Sequence, residues 1–141
     1  SRQTLHQELA AAAERAEQIQ AANPQANFAI EYVLGSETSP HSAIPPGEWD
    51  LVAIFDTLEH IHPDKHMALF LTVASSLRSG GRVLLNFPYK AHDTTQCEEY
   101  TVFPKVIRAQ LRAAGLRCDP PEQVFSPWPG EVYFRVEGVK A

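Results

Sequence analysis

The chain of 141 residues carries 12 basic and 17 acidic side chains, a formal charge of −5, with 44% apolar and 21% charged residues. These proportions fit one globular domain and exclude a disordered tail, and no run approaches the roughly 20 apolar residues of a membrane span. The negative balance argues against a duplex nucleic-acid binder, which needs a basic face.

Leu5, Leu9, Ala12, Ala16 and Ile19 recur every three or four residues, and Thr4 and Gln7 have capping-box spacing. Together they predict an amphipathic helix over residues 4–22, ending near Asn23-Pro24. Residues 28–34 predict a strand running into Gly35, and residues 36–48, with three prolines and no periodicity, predict a loop. Residues 51–55 are a continuous apolar run, as expected of a strand buried on both faces, and Asp56 ends it. A helix follows, with Pro63 in its first turn and Met67, Phe70, Leu71, Ala74 and Leu77 on one face. Gly80-Gly81 is expected to terminate it.

Residues 82–87 predict the next buried strand, ended by Pro88. A polar loop over 89–100 leads to a helix whose apolar face is Phe103, Val106, Ile107, Leu111 and Ala114, with Gly115 at C′. The tail predicts two strands, 116–118 continuing towards Val124-Phe125 and then 132–139, with a turn at Pro127-Trp128-Pro129-Gly130. Cys97 and Cys118 form neither a Cys-x-x-Cys pair nor a zinc framework, so a reduced, cytoplasmic setting is expected. No signal-peptide pattern opens the chain.

Alternating helices and doubly buried strands predict an α/β fold. Its sheet would be mostly parallel, with helices on both faces and a C-terminal antiparallel strand pair. In open α/β sheets ligands bind outside the carboxyl ends of the strands. That rule selects Gly35-Ser36-Glu37, then Asp56-Thr57-Leu58-Glu59-His60, then residues 86–90 with His92 just beyond.

Glu48-Trp49-Asp50-Leu51-Val52 followed by Phe55-Asp56-Thr57-Leu58-Glu59-His60-Ile61 resembles the fourth-strand motif of class I S-adenosylmethionine-dependent methyltransferases. Leu77-Arg78-Ser79-Gly80-Gly81-Arg82-Val83-Leu84-Leu85-Asn86 is similar to their fifth-strand motif L-(R/K)-P-G-G-R, with Ser79 in the place of proline. The closing strand pair fits too, and the resemblance extends over residues 4–139. It implies a Rossmann-like, N-terminally shortened fold, with residues 1–141 as one methyltransferase-like domain. The family's Gly-rich turn after a first strand, and its ribose-holding acid after a second, are not found in the sequence, and the helix over 4–22 matches the one that follows that acid. The resemblance also implies S-adenosylmethionine as cofactor, with Ser36 or Glu37 at its adenine and Phe55 and Asp56 beside its methionine end. Core packing is the alternative for Phe55, and a solvated loop carboxylate the alternative for Glu37. Without the glycine turn, which lets backbone approach a ligand closely, cofactor binding is expected to be weak or absent.

Asp56, Glu59 and His60 stand at i, i+3 and i+4 and converge if the segment turns into a helix. Such oxygen and nitrogen ligands suit a divalent cation such as Mg²⁺ or Zn²⁺, with His92 as a further ligand. A similar cluster binds metal in quinone O-methyltransferases and small-RNA 2′-O-methyltransferases. The metal-free alternative makes His60, beside Glu59, the general base for a hydroxyl or amine, since an imidazole ordinarily titrates near neutrality. A third reading has Glu59 and His60 simply holding the loop by hydrogen bonds. His62 and His66 are expected to be solvated, and Cys97-Glu98-Glu99-Tyr100 to place acids at the positive end of the next helix.

Two functions follow. One is a transferase moving a methyl group from S-adenosylmethionine to a hydroxyl or amine of a small molecule or glycan. The other is a non-catalytic, methyltransferase-like interaction or regulatory module, whose exposed sheet edge is covered by a partner or, as a homodimer, by a second copy.

Overall fold

A computed structural model describes residues 2–26, 46–89, 99–126 and 128–141 of the chain. They fall into two compact units, Ser1–Ser36 and Glu37–Ala141. In the first, helix α1 spans Arg2–Ala22, so Thr4 and Gln7 lie inside it and form no capping box at its start. Among its described side chains Leu9, Ala12 and Ala16, three and four residues apart, are the least exposed, as the periodicity requires. Asn23 closes it, its backbone N–H donating to the Gln20 carbonyl (3.2 Å) and its side-chain amide to the Ile19 carbonyl (2.8 Å). The strand expected over 28–34 and the candidates Gly35, Ser36 and Glu37 lie outside the described residues.

The second unit is built on strands β1 (Trp49–Phe55), β2 (Leu77–Pro88), β3 (Leu116–Cys118), β4 (Glu122–Val124) and β5 (Tyr133–Lys140). Their order is β1-β2-β5-β3, with β4 also paired to β5. β1 and β2 run parallel, from Leu51 beside Arg82 to Phe55 beside Asn86, and the remaining described pairs are antiparallel. The sheet is therefore mixed, and the chain's last strand is inserted between β2 and β3.

β3 and β4 replace the single strand expected there. Cys118 faces Gly138 and Glu122 faces Arg135, so residues 119–121 stand opposite only Val136 and Glu137. That extra residue is a bulge, formed where Pro120 and Pro121 have no N–H to give to the ladder.

Helices α2 (His66–Ser76) and α3 (Pro104–Ala113) pack on one face of this sheet. Leu69, Phe70, Val73 and Ala74 of α2 and Ile107 and Leu111 of α3 meet Val83, Leu85, Phe87 and Val136, with Val52 and Ile54 packed against them. Leu51 and Phe55, on the opposite face of β1, remain 54% and 51% exposed. The apolar run 51–55 is thus covered on one face rather than two, because both described helices of this unit take the same side. Leu71, Phe103 and Val106, expected on buried helix faces, are half exposed for the same reason: their helices turn Leu69 and Val73, or Ile107 and Leu111, to the sheet.

α2 ends at Ser76, four residues before Gly80. Leu77 already pairs with Trp49, residues 78–81 loop out, and pairing resumes at Arg82 beside Leu51. Gly81 is required by close approach, since a Cβ there would lie 2.8 Å from the backbone oxygens of both Arg78 and Trp49. Arg78 pairs with Asp50 across this loop. The open carbonyls at the end of α2 are closed by Lys140, whose Nζ donates to Ala74 (2.7 Å) and Leu77 (2.8 Å). α3 begins with Pro104 at its first turn and stops at Gly115, whose φ of 96° supplies the left-handed C′ position expected of it. Among the described residues no helix is long and apolar enough to cross a membrane.

Candidate functional site

The β1–β2 ladder makes its last rung when the Asp56 N–H donates to the Asn86 carbonyl at 3.0 Å. Asp56 then turns to φ 49°, in the left-handed region that costs energy for any residue with a Cβ but that Asp tolerates better than most. The chain bends sharply there, and the Thr57 hydroxyl holds the bend by donating to the Phe55 carbonyl (2.8 Å). Leu58–His60 form one turn of 3₁₀ helix, anchored by the buried Leu58 side chain.

His66 locks this turn from beneath. Its Nε2 lies 3.0 Å from both the Leu58 and the Ile61 carbonyl oxygens. Both are acceptors only, so Nε2 carries the hydrogen and donates to the pair. Burial depresses the imidazole below its ordinary range, against the opposing pull of those two carbonyls, with the nearby His62 adding a little to the depression. His66 is therefore buried rather than solvated, because its partners lie upstream across two short turns. His62 is exposed and caps the second turn, Pro63–Lys65, its Nδ1 accepting from the Asp64 N–H at 3.2 Å. From the other side, the Tyr100 N–H donates to the Glu59 carbonyl at 2.7 Å.

Asp56, Glu59, His60, Pro88, Glu99, Trp128, Glu131 and Tyr133 line a cleft of about 340 Å³ beside this turn. Glu59 is only 3% exposed. Burial raises its carboxyl above the ordinary range; Asp56 and Glu99 push the same way, while its backbone hydrogen bond and His60 oppose them. One oxygen, Oε1, is 3.7 Å from His60 Nε2, and the other, Oε2, has no hydrogen-bond partner among the described residues. The His60 side chain is 42% exposed. Tyr133 is buried, with Asp56 as its nearest acidic neighbour. Burial first, then Asp56 and the other neighbouring acids, hold the phenol well above its ordinary range, so it remains neutral. Asn86 Oδ1, on the strand beside Phe55, is a second buried atom with no partner among the described residues.

The sequence candidates divide clearly. Asp56, Glu59 and His60 share the cleft, as their spacing suggested. Among the described residues no three His, Cys, Asp or Glu side chains group to hold an ion. Tyr133 joins them in the cleft, and Glu59 is buried. His92, the proposed further ligand, lies outside the described residues, as does Cys97. Phe55 is half exposed, which removes the core-packing alternative. Glu99 lines the cleft instead of serving the start of α3, which begins five residues later at Pro104.

Tyr133, Trp128 and Glu131 went unrecognised in the sequence. The only signal was the alternation of Val132, Phe134 and Val136, which puts Tyr133 on the face opposite the helices.

No protein-family model and no curated protein sequence matches the chain. Solved structures do match. A 1,6-didemethyltoxoflavin N1-methyltransferase from Burkholderia thailandensis, solved with bound 1,6-didemethyltoxoflavin and S-adenosylhomocysteine, superposes with a TM-score of 0.61 at 20% identity; the match covers 72% of this chain and 48% of that one. A SAM-dependent methyltransferase from Archaeoglobus fulgidus gives 0.64 at 13% identity, covering 77% and 66%. Magnesium protoporphyrin IX methyltransferase from Synechocystis, solved with S-adenosylmethionine, gives 0.62 at 19% identity, covering 94% and 54%. The matched part of the chain spans about half to two thirds of the length of these three proteins.

Proposed function

We propose that this chain, which has the fold of the class I S-adenosylmethionine-dependent methyltransferases, supplies the acceptor side of a methyl-transfer site. The acceptor would be a hydroxyl or amine of a small molecule or glycan. One observation carries the reading: His60 and the buried Glu59 stand beside Asp56 in a strained turn at the carboxyl end of β1, over a cleft wide enough for a small acceptor. Ligand sites of open α/β sheets form at such strand ends.

The residues present fit the cofactor at this place. Phe55 offers an apolar surface and Asp56 a carboxylate to its methionine end. The buried, unpartnered Asn86 Oδ1 beside them is an acceptor of the kind a cofactor N–H satisfies. When bound, the cofactor supplies a methyl group on a sulfonium, already an electrophile. His60 takes the proton from the acceptor, and the Glu59 carboxyl, 3.7 Å away, orients the imidazole and stabilises its charged form. Holding the acceptor in line supplies much of the remaining acceleration. The free, buried thiol of Cys118 fits a cytoplasmic place, where thiols stay reduced.

The test is the release of S-adenosylhomocysteine from S-adenosylmethionine in the presence of hydroxyl and amine acceptors. His60→Ala should slow it about 100-fold with little change in KM for the methyl donor. A variant as fast as the wild type would remove His60 from the chemistry.

A second reading, a non-catalytic interaction module, is favoured by the half-exposed Leu51 and Phe55 on the face of β1 away from the helices. It requires a partner or a second copy there. A sedimentation coefficient that is unchanged in Leu51→Asp, with no partner recovered on that face, would rule it out.

A further inference from the structure

We infer that the cleft beside β1 binds the cationic nitrogen of an organic amine, so that the acceptor of the proposed reaction is an alkylammonium compound rather than a glycan or a neutral alcohol. The inference rests on the methyl-transfer reading for its consequence, though not for its geometry. Four of the eight cleft-lining residues carry carboxyl groups (Asp56, Glu59, Glu99 and Glu131), and no lysine or arginine lines it among the described residues. Glu59 adds an independent sign of a ligand. It is a wall residue, 97% buried by its 3% exposure, and its Oε2 has no hydrogen-bond partner among the described residues. A buried carboxyl oxygen left unpaired costs free energy that an incoming N–H donor removes.

The remaining walls suit an organic cation better than a metal ion. Trp128, 60% exposed, is among the lining residues, and an aromatic face attracts a substituted ammonium through its quadrupole. Pro88 supplies an apolar patch beside it. A divalent ion needs several oxygen or nitrogen ligands closed around one point, and no such group of three exists among the described residues. Tyr133 and Asp56 line the cleft together, and a carboxylate has lone pairs enough to accept from both a phenol and a ligand. A neutral hydroxyl would fill one lone pair of Glu59 but bring no positive charge to a wall with four carboxyl groups.

His60 completes the balance of the reaction. The bound ammonium gives one proton to the His60 imidazole, on the ring nitrogen turned away from Glu59, which frees the nitrogen lone pair. That nitrogen then bonds the methyl carbon while the carbon–sulfur bond breaks, its electron pair staying on sulfur. The products are an N-methylammonium ion and a neutral thioether.

The inference is tested by following the Trp128 indole and His60 ring resonances while the chain is titrated at pH 7 with benzylamine, benzyl alcohol and benzoate. Each titration is run with and without S-adenosylhomocysteine. Benzylamine should shift both resonances saturably and bind about tenfold or more tightly than benzyl alcohol, with benzoate weaker still. Asp56→Asn and Glu131→Gln, made separately so that one folded variant suffices, should each erode that preference. Equal binding of the alcohol, tighter binding of benzoate, or displacement of benzylamine by Mg²⁺ at lower concentration would overturn the inference. Retained binding of S-adenosylhomocysteine without any ammonium preference defeats the inference alone. An ammonium preference without S-adenosylhomocysteine binding defeats the methyl-transfer reading and leaves the cation site standing.

Discussion

Glu59 and His66 show how burial sets opposite pH dependences a few residues apart. The Glu59 carboxyl titrates higher in the folded chain than its ordinary value of 4.5, chiefly because it is buried. The folded state then holds its proton to higher pH than the unfolded state. Its contribution to stability is complete below pH 4.5 and is lost as pH rises through the folded value. Glu59→Gln, which keeps the shape and removes the charge, should raise Tm at pH 8 by a few degrees and leave it nearly unchanged at pH 4. Thermal unfolding monitored by circular dichroism measures this, and an equal change at both pH values would contradict it.

His66 runs the other way. Its folded pKa lies below the ordinary 6.5, so its contribution is present above pH 6.5 and lost as pH falls through the folded value. His66→Ala leaves the Leu58 and Ile61 carbonyls without their shared donor and should cost roughly 1–3 kcal/mol at pH 8, and less at pH 5. Urea unfolding at the two pH values checks it; a cost that grows on acidification would be contrary. At this scale the sequence was readable where partners are near in the chain. Asp56, Glu59 and His60 could be grouped by spacing alone. His66 could not be placed, because its two carbonyl partners are brought to it by 3₁₀ turns that leave no hydrophobic period.

At the scale of elements, existence was easier to read than boundary or cover. The run 51–55 is a strand, yet its apolar character did not reveal that only Val52 and Ile54 face the core. The helix before β2 was expected to continue to Gly80-Gly81. It stops at Ser76 because Leu77 is drawn into pairing with Trp49, a contact between segments 28 residues apart in the chain, which local sequence does not encode. Gly81 has a different task from ending a helix: it lets the bulge of β2 lie against β1. Gly81→Ala sets a Cβ against two backbone oxygens that have no side-chain freedom to move. The expected loss is roughly 2–3 kcal/mol in urea unfolding. Gly115→Ala, with no atom within 4 Å of its Cβ, should cost only about 1 kcal/mol for its left-handed φ. A Gly81 variant no less stable than the Gly115 variant would refute this account of the bulge.

At the scale of the molecule, the site is a product of topology. The carboxyl ends of β1 and β2 lie side by side, and β5 enters antiparallel between β2 and β3, so its first residue, Tyr133, pairs with Pro88 and reaches Asp56. Elements and their order were legible from the periodicities and from the two strand motifs. The insertion of the last strand was not, and with it went Tyr133, Trp128 and Glu131. These residues lie far from Asp56 along the chain and meet it only through the register of three strands. The central claim is that this meeting point faces a methyl donor. Its most direct test is a titration of the chain with S-adenosylhomocysteine, followed through the backbone amide resonances. Saturable shifts are expected, among the described residues, at Phe55, Asp56, Glu59, His60 and Asn86, with affinity about tenfold weaker in Asp56→Ala; no shift at millimolar ligand, or shifts on the helix-covered face instead, would contradict this.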